Sequence, residues 1–411
     1  MGYLGEPMTA AVISVSLLFF VGHGLQWFFR RTKIPDLLIL VLFGYVIGPQ
    51  MGLITAADFG AVGAFVSTLA LVVILYEGGL HLSAADLKTS TLPATALSLL
   101  GFLLIATTGT LAAWAFTNQA WHLAILMGLA VGSTSSAIVI PMVKALSIQD
   151  KCKTVLSLES AFTDVLAIVI FLVFLDGVLA GEFSARQILI GIGPKTLVAI
   201  LMGISSGLFW SWLRHHGDFS RTPFAGEAWA LLSFGLIELS GHNGAMGALA
   251  LGFTLANINL LPKWSQKIFE QQPVSVSELS LLREITFLLK TFFFIYLGTL
   301  VQFKDWRLVL FSLLVCVLIF LTRYLSVRLI YRPQHFTRLD AMITVAMGPR
   351  GLACAVLATI PLQRGLDGGE WLQYVLFAII PMTILFTAIL VALSEKSFFR
   401  NWTGRLFSQY P

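Results

Sequence analysis

At 411 residues, with 57% hydrophobic and only 11% charged side chains, the chain carries too little polar surface for a soluble globule of its size and reads as an all-α integral membrane protein. The net charge of +5 does not point to nucleic acid, because the cations are dispersed through short loops between apolar spans, the pattern of topology signals. Cys152, Cys316 and Cys354 lack metal-ligand or redox-pair spacing, so neither a zinc site nor a disulfide framework is supported.

Taken in order, 13 apolar spans lie near residues 7–28, 34–52, 61–80, 91–117, 121–143, 154–175, 196–213, 226–240, 244–258, 284–302, 308–327, 339–361 and 372–394. The first lacks a basic leader and is followed by Arg30, Arg31 and Lys33, so it reads as a retained helix. With that loop in the cytoplasm, 18 Lys and Arg residues fall inside and 5 outside, which predicts an external N-terminus and a cytoplasmic C-terminus in an inner membrane. Three further cations, Lys290, Arg323 and Arg350, fall within spans and need acidic or carbonyl partners there.

The sixth span holds Glu159 and Asp164 in a stretch, 155–174, that is otherwise free of charge. Burial penalises the ionised form, so an acid at that depth marks an ion or proton path unless it is merely structural. At about 100° per residue the five-residue step turns about 140°, so the two acids face different partners. Ser160 lies one turn before Asp164 and Thr163 one turn after Glu159, which sets hydroxyls beside both carboxylates. Sodium and potassium are hard cations that take several oxygen ligands. Asp164 is therefore the expected monovalent-cation ligand, with Thr163, Ser160, Ser133 and Thr134 as candidate oxygen donors. For each hydroxyl the competing reading is a local bond to a carbonyl of its own helix.

An internal repeat is visible at an offset of 220 residues, where Tyr76, Gly78 and Leu80 recur as Tyr296, Gly298 and Leu300. A shift of seven spans gives the copies opposite orientation, the inverted-repeat plan of many secondary transporters. The offset nearly carries the polar break of the fifth span, Gly132-Ser133-Thr134-Ser135-Ser136 with Pro141, onto Gly348-Pro349-Arg350-Gly351 in the twelfth. Such breaks are tolerated at membrane depth only where the freed backbone is buried in protein or faces a cavity, so the pair predicts a midplane binding site.

Glu159-Ser160-x-x-Thr163-Asp164, Thr322-Arg323-x-Leu325-Ser326-Val327 and Gly348-Pro349-Arg350-Gly351 resemble, in that order, three motifs of the monovalent cation/proton antiporters, most of all the NhaP-like sodium/proton branch. The span pattern is similar across essentially the whole chain. The resemblance implies a transporter rather than an enzyme, with no cofactor, that exchanges Na+, or else K+, for H+. It implies a sodium/proton antiporter fold of 13 helices in a homodimer, with dimerisation helices in 1–90 and 226–302, a linker helix at 196–213, a core in 91–175 and 308–394, and a cytoplasmic tail at 395–411. The core would slide as an elevator, with spans 5 and 12 crossing as broken helices. Asp164 would alternately hold a proton or a cation, and Glu159 would form a structural ion pair with Arg323 beside it. Arg350 would support the broken helices, with snorkelling to the interface as the alternative.

Two departures qualify the resemblance. Relatives of this branch usually have Asn where this chain has Thr163, and electrogenic relatives have a second Asp; a single exchangeable acid implies electroneutral one-for-one exchange. The run Ser133-Thr134-Ser135-Ser136-Ala137 looks more like the potassium-efflux branch, whose members often add a cytosolic nucleotide-binding domain. Here the chain stops at Pro411, so such regulation would require a separate subunit. A cation channel and a sodium-coupled organic-anion symporter are the rivals of another class. A lone acid flanked by hydroxyls suits occlusion better than a hydrated pore, and the small apolar residues around the breaks leave no roomy polar pocket.

The other polar residues carry less. Glu77 and His81 read as funnel groups or a solvated helix end, Glu238, His242 and Asn243 as interfacial, and His215 and His216 as an exposed loop beside Arg214. Lys290 either snorkels or pairs with an acid, and 261–282 reads as an amphipathic surface linker.

Overall fold

The computed structural model describes residues 35–53, 56–81, 92–181, 193–217, 224–262, 276–301 and 305–394, with parts of 16–28 and a few positions elsewhere. In chain order the helices are α1 (Asp36–Tyr45), α2 (Ala56–His81), α3 (Leu92–Phe116), α4 (Trp121–Val131), α5 (Ser136–Lys144), α6 (Asp150–Leu179), α7 (Gly193–His216), α8 (Ala225–Leu239), α9 (Gly244–Ala256), α10 (Val276–Leu300), α11 (Trp306–Ile330), α12 (Arg338–Ala346), α13 (Leu352–Gln363) and α14 (Gly369–Ser394). No strand occurs among the described residues. Each expected span from the second to the thirteenth coincides with helix, and the fifth and twelfth are each split in two. The first span and the segment 261–282 lie largely outside the described residues, although α10 begins within the latter.

This is a multi-pass membrane protein, and the reason is length and apolarity. Six helical segments, α3, the α4–α5 pair, α6, α7, α11 and α14, are long and apolar enough to cross a bilayer. On α11 the residues Leu310, Leu313, Val317, Leu321 and Leu325 recur every three or four positions and are exposed, a stripe suited to lipid rather than water. Its opposite face buries Phe311, Val315, Ile319 and Arg323.

The helices sort by packing into two groups, one of α1, α2 and α7–α10, the other of α3–α6 and α11–α14. They meet where α13 and α6 face α2, and where α14 faces α10 and α1. Close crossings within the first group need glycine. A Cβ on Gly252 would strike the Tyr76 carbonyl, which lets α2 and α9 touch, and one on Gly298 would strike the Val41 carbonyl where α10 crosses α1. Gly78, the repeat partner of Gly298, instead faces open space.

The repeat extends through the fold. A shift of 220 residues carries α2 onto α10 to within a residue, the start of α6 onto the start of α14 to within a residue, and the pair α4–α5 onto α12–α13. The second group is tied at one end by Asp340, whose Oδ2 accepts from the Thr337 N–H in a capping box while Oδ1 accepts from the Gln149 N–H at 3.0 Å. That bond joins the N-termini of α6 and α12.

Candidate functional site

The two breaks lie against each other. Between α4 and α5 the chain is non-helical over 133–135, and between α12 and α13 over 347–351. The Ser135 N–H donates to the Pro349 carbonyl at 2.9 Å, and a side chain at Gly351 would occupy the space of the Ser135 hydroxymethyl group. Both loops are buried, so their freed amides must be satisfied by protein. The Thr134 N–H donates to Thr163 Oγ1 of α6 and the Arg350 N–H to Thr383 Oγ1 of α14, each at 3.0 Å.

Asp164 points at the start of α5. Its Oδ2 accepts from the Ser136 hydroxyl at 2.9 Å and from the Ser136 backbone N–H at 3.3 Å. Ser136 opens a half-helix, where the first amides have no intrahelical acceptor and the dipole favours negative charge, so a carboxylate is well placed there. The other oxygen, Oδ1, is buried and has no hydrogen-bond partner among the described residues.

Glu159 looks the other way and meets Arg323. The guanidinium of Arg323 donates to Oε1 at 2.9 Å and to Oε2 at 3.2 Å, and its Nε donates to the Thr344 carbonyl at 3.0 Å. Thr134 Oγ1 bridges the pair, donating to Glu159 at 3.1 Å. Both side chains are fully enclosed, and the bidentate geometry compensates their desolvation.

A cavity of about 480 Å³ opens from Asp164 toward the first helix group. Asp164, Ser135 and Ser136 line one wall; Glu77 of α2 and Arg283, Thr286 and Lys290 of α10 line the other. The Thr286 hydroxyl donates to Glu77 at 2.9 Å, so Glu77 belongs to the cavity rather than to a solvated helix end.

The family model described as "Sodium/hydrogen exchanger, transmembrane" matches residues 15–396. The chain belongs to this exchanger family. The K(+)/H(+) antiporter NhaP of Alkalimonas amylolytica is 25% identical over 392 residues, which cover 93% of this chain and 65% of that protein. The chain therefore spans just under two thirds of that curated relative. A probable Na(+)/H(+) antiporter 2 of Methanocaldococcus jannaschii is 24% identical, with 92% of this chain and 90% of that protein covered. In fold, the chain is similar to the structure of the sodium proton antiporter MjNhaP1 from the same organism at pH 8, with a TM-score of 0.75, 22% identity, and 94% and 100% of the two chains covered.

In this member of the exchanger family the expected hydroxyls do not gather around Asp164. Ser160 Oγ donates to the Ser157 carbonyl of its own helix at 3.0 Å, and Ser133 Oγ, in the break, donates back to the Ala130 carbonyl of α4 at 3.4 Å. Thr163 and Thr134 serve the break and the ion pair. Ser136, one residue beyond the expected donors, is the one that bonds Asp164. Arg350 is fully buried rather than snorkelling: it donates to the Gly348 carbonyl at 3.1 Å, and its Nε and Nη2 have no partner among the described residues.

At the end of the molecule opposite Glu77 and Arg283, polar contacts tie the two groups together. Asp176 of α6 accepts from Arg364 at 2.5 Å and from Asn243 Nδ2, at the start of α9, at 3.0 Å. Arg364 also lies 3.8 Å from Glu238 at the end of α8. Arg214, expected in a basic loop, is instead buried in an ion pair with Glu278 of α10, whereas His215 and His216 are exposed.

Proposed function

We propose that the chain exchanges an alkali cation for a proton across an inner membrane, the two competing for Asp164. The reading is carried by Asp164 Oδ1, a buried carboxylate oxygen without a hydrogen-bond partner among the described residues, beside two crossing broken helices and a cavity. A structural acid would have both oxygens satisfied, since leaving one bare is costly. Here Ser136 holds Oδ2 and leaves Oδ1 for a proton or a cation. A neutralised carboxylate crosses apolar surroundings at far lower cost than a bare one, and that difference suffices to couple the two fluxes.

The division into two packed groups supports an elevator, in which α3–α6 and α11–α14 slide past α1, α2 and α7–α10 held in a homodimer. The cation distribution of the sequence supports an external N-terminus, with the cavity mouth at the cytoplasm and the Asp176–Arg364 contacts at the outer face. One exchangeable acid favours electroneutral exchange. Sodium is the favoured cation. Potassium is the second reading, favoured by the serine-rich first break and by the naming of the Alkalimonas relative.

Proton flux in sealed vesicles on addition of Na+, K+ or Li+, compared between the native chain and Asp164→Asn, tests this. Exchange by the native chain alone is expected; exchange by the Asn variant at the native rate would overturn the assignment.

A further inference from the structure

We propose that Lys290 sets the apparent cation affinity of the exchange site, its ammonium competing from the cavity wall with the transported ion for the field of Asp164. The inference rests on the reading of Asp164 as the exchange carboxylate. It begins with an imbalance of charge. A cavity that leads cations to a carboxylate is expected to concentrate acidic groups. This one sets Lys290 and Arg283 against Asp164 and Glu77.

Arg283, Thr286, Phe287 and Lys290 all line the cavity and form one stripe of α10 with i, i+3, i+4, i+7 spacing. Seven residues at 1.5 Å each put Lys290 roughly 10 Å deeper than Arg283 along the helix axis. Arg283 is exposed, so water and salt screen it; Lys290 is half-buried and screened less. Glu77 is engaged by Thr286, and Lys290 has no hydrogen-bond or ion-pair partner among the described residues. Among the described residues its charge is therefore not offset by a direct contact; Glu159 and the buried Arg350 also act on Asp164 through space, and both are the same in the native chain and in a Lys290 variant.

A cavity of about 480 Å³ is roughly 10 Å across if taken as a sphere, and a unit charge acting over that distance at an effective dielectric of about 20 changes cation occupancy by about tenfold. Proton and alkali ion carry the same charge, so the ammonium opposes both. At acid pH the two effects on the apparent KM offset each other. At alkaline pH few protons compete and only the effect on the cation remains.

The test is cation-driven proton flux in sealed vesicles. At alkaline pH, Lys290→Met is expected to lower the KM for the cation about tenfold with little change in Vmax, and Lys290→Arg to keep the native KM. Toward acid pH the difference should narrow, a dependence that lost packing would not produce. Lys290→Cys provides a second route: 2-aminoethyl methanethiosulfonate restores an ammonium and should restore the native KM, whereas neutral methyl methanethiosulfonate should not. An unchanged KM in Lys290→Met, or equal KM values after the two reagents, would overturn the proposal. Asp164→Asn run in parallel separates the failures. If it still exchanges, the exchange-site reading is wrong; if it is inactive while Lys290→Met keeps the native KM, only the role of Lys290 is wrong.

Discussion

Thr163 and Thr383 stand 220 residues apart, the spacing that relates the two halves of the chain, and each accepts a backbone N–H from the broken helix of its own half at 3.0 Å. Thr163 takes the amide of Thr134 and Thr383 that of Arg350. The inverted repeat thus supplies one hydroxyl acceptor per break. It also accounts for a threonine next to Asp164: its oxygen is committed to the loop, and its own proton goes to the Ser160 carbonyl at 3.2 Å.

Thr163→Val should therefore act on stability before affinity. It leaves the buried Thr134 amide unsatisfied, at a cost of about 1–3 kcal/mol, whereas Thr163→Ser keeps the acceptor. Thermal denaturation of purified protein measures this. A Val variant that melts like the native chain yet binds cation weakly would instead make Thr163 a ligand.

Ser136 and Ser160 should part company. Ser136→Ala removes a hydrogen bond to a carboxylate, worth about 1.5–3 kcal/mol, and is expected to change the KM for the cation at least severalfold. Ser160→Ala deletes only a bond to its own helix and should stay within about twofold. Equal effects in the two variants would contradict the geometry.

Arg323→Met strands Glu159 as a bare buried charge, with an expected loss of about 3–5 kcal/mol of stability. Adding Glu159→Gln should recover much of that loss, because the uncompensated charge disappears. Denaturation of the single and double variants gives the coupling directly, and simple additivity would show that the pair does not act as a unit.

The contacts of Asp176 with Arg364 and Asn243 tie the two helix groups together at the end of the molecule away from the cavity. These side chains are partly exposed, so the ion pair is worth about 1 kcal/mol, or roughly fivefold in the balance between closed and open states. Asp176→Asn with Arg364→Gln should raise the apparent cation affinity of the outer face relative to the inner by that factor. Vesicles of the two orientations provide the comparison, and an unchanged ratio would show these contacts to be incidental.

Much of this was legible in the chain itself. The second to thirteenth spans are written as runs of apolar residues of bilayer length, and the breaks as clusters of Gly, Pro and Ser, because hydrocarbon penalises unpaired backbone groups. Two different partners for Glu159 and Asp164 followed from helical pitch alone. Arg323 as the partner of Glu159 came only through family resemblance, since the two are 164 residues apart and no local pattern joins them. Ser136 was hidden in a different way: in sequence it looks like the last residue of the break, and only as the first residue of α5 does it gain a free amide to aim. The α10 wall had no signal, because Thr286 meets Glu77 across 209 residues through packing of α2 on α10. Arg364 sorts as an external loop cation until α13 delivers it to Asp176.

Competition at one carboxylate is tested most directly by counting protons. Calorimetric titration of the purified chain with the cation, repeated at acid pH in buffers of different ionisation enthalpy, gives the protons released per cation bound. The expected result is close to one for the native chain, and no cation binding for Asp164→Asn. Cation binding that releases no proton, or that survives the loss of Asp164, would contradict it.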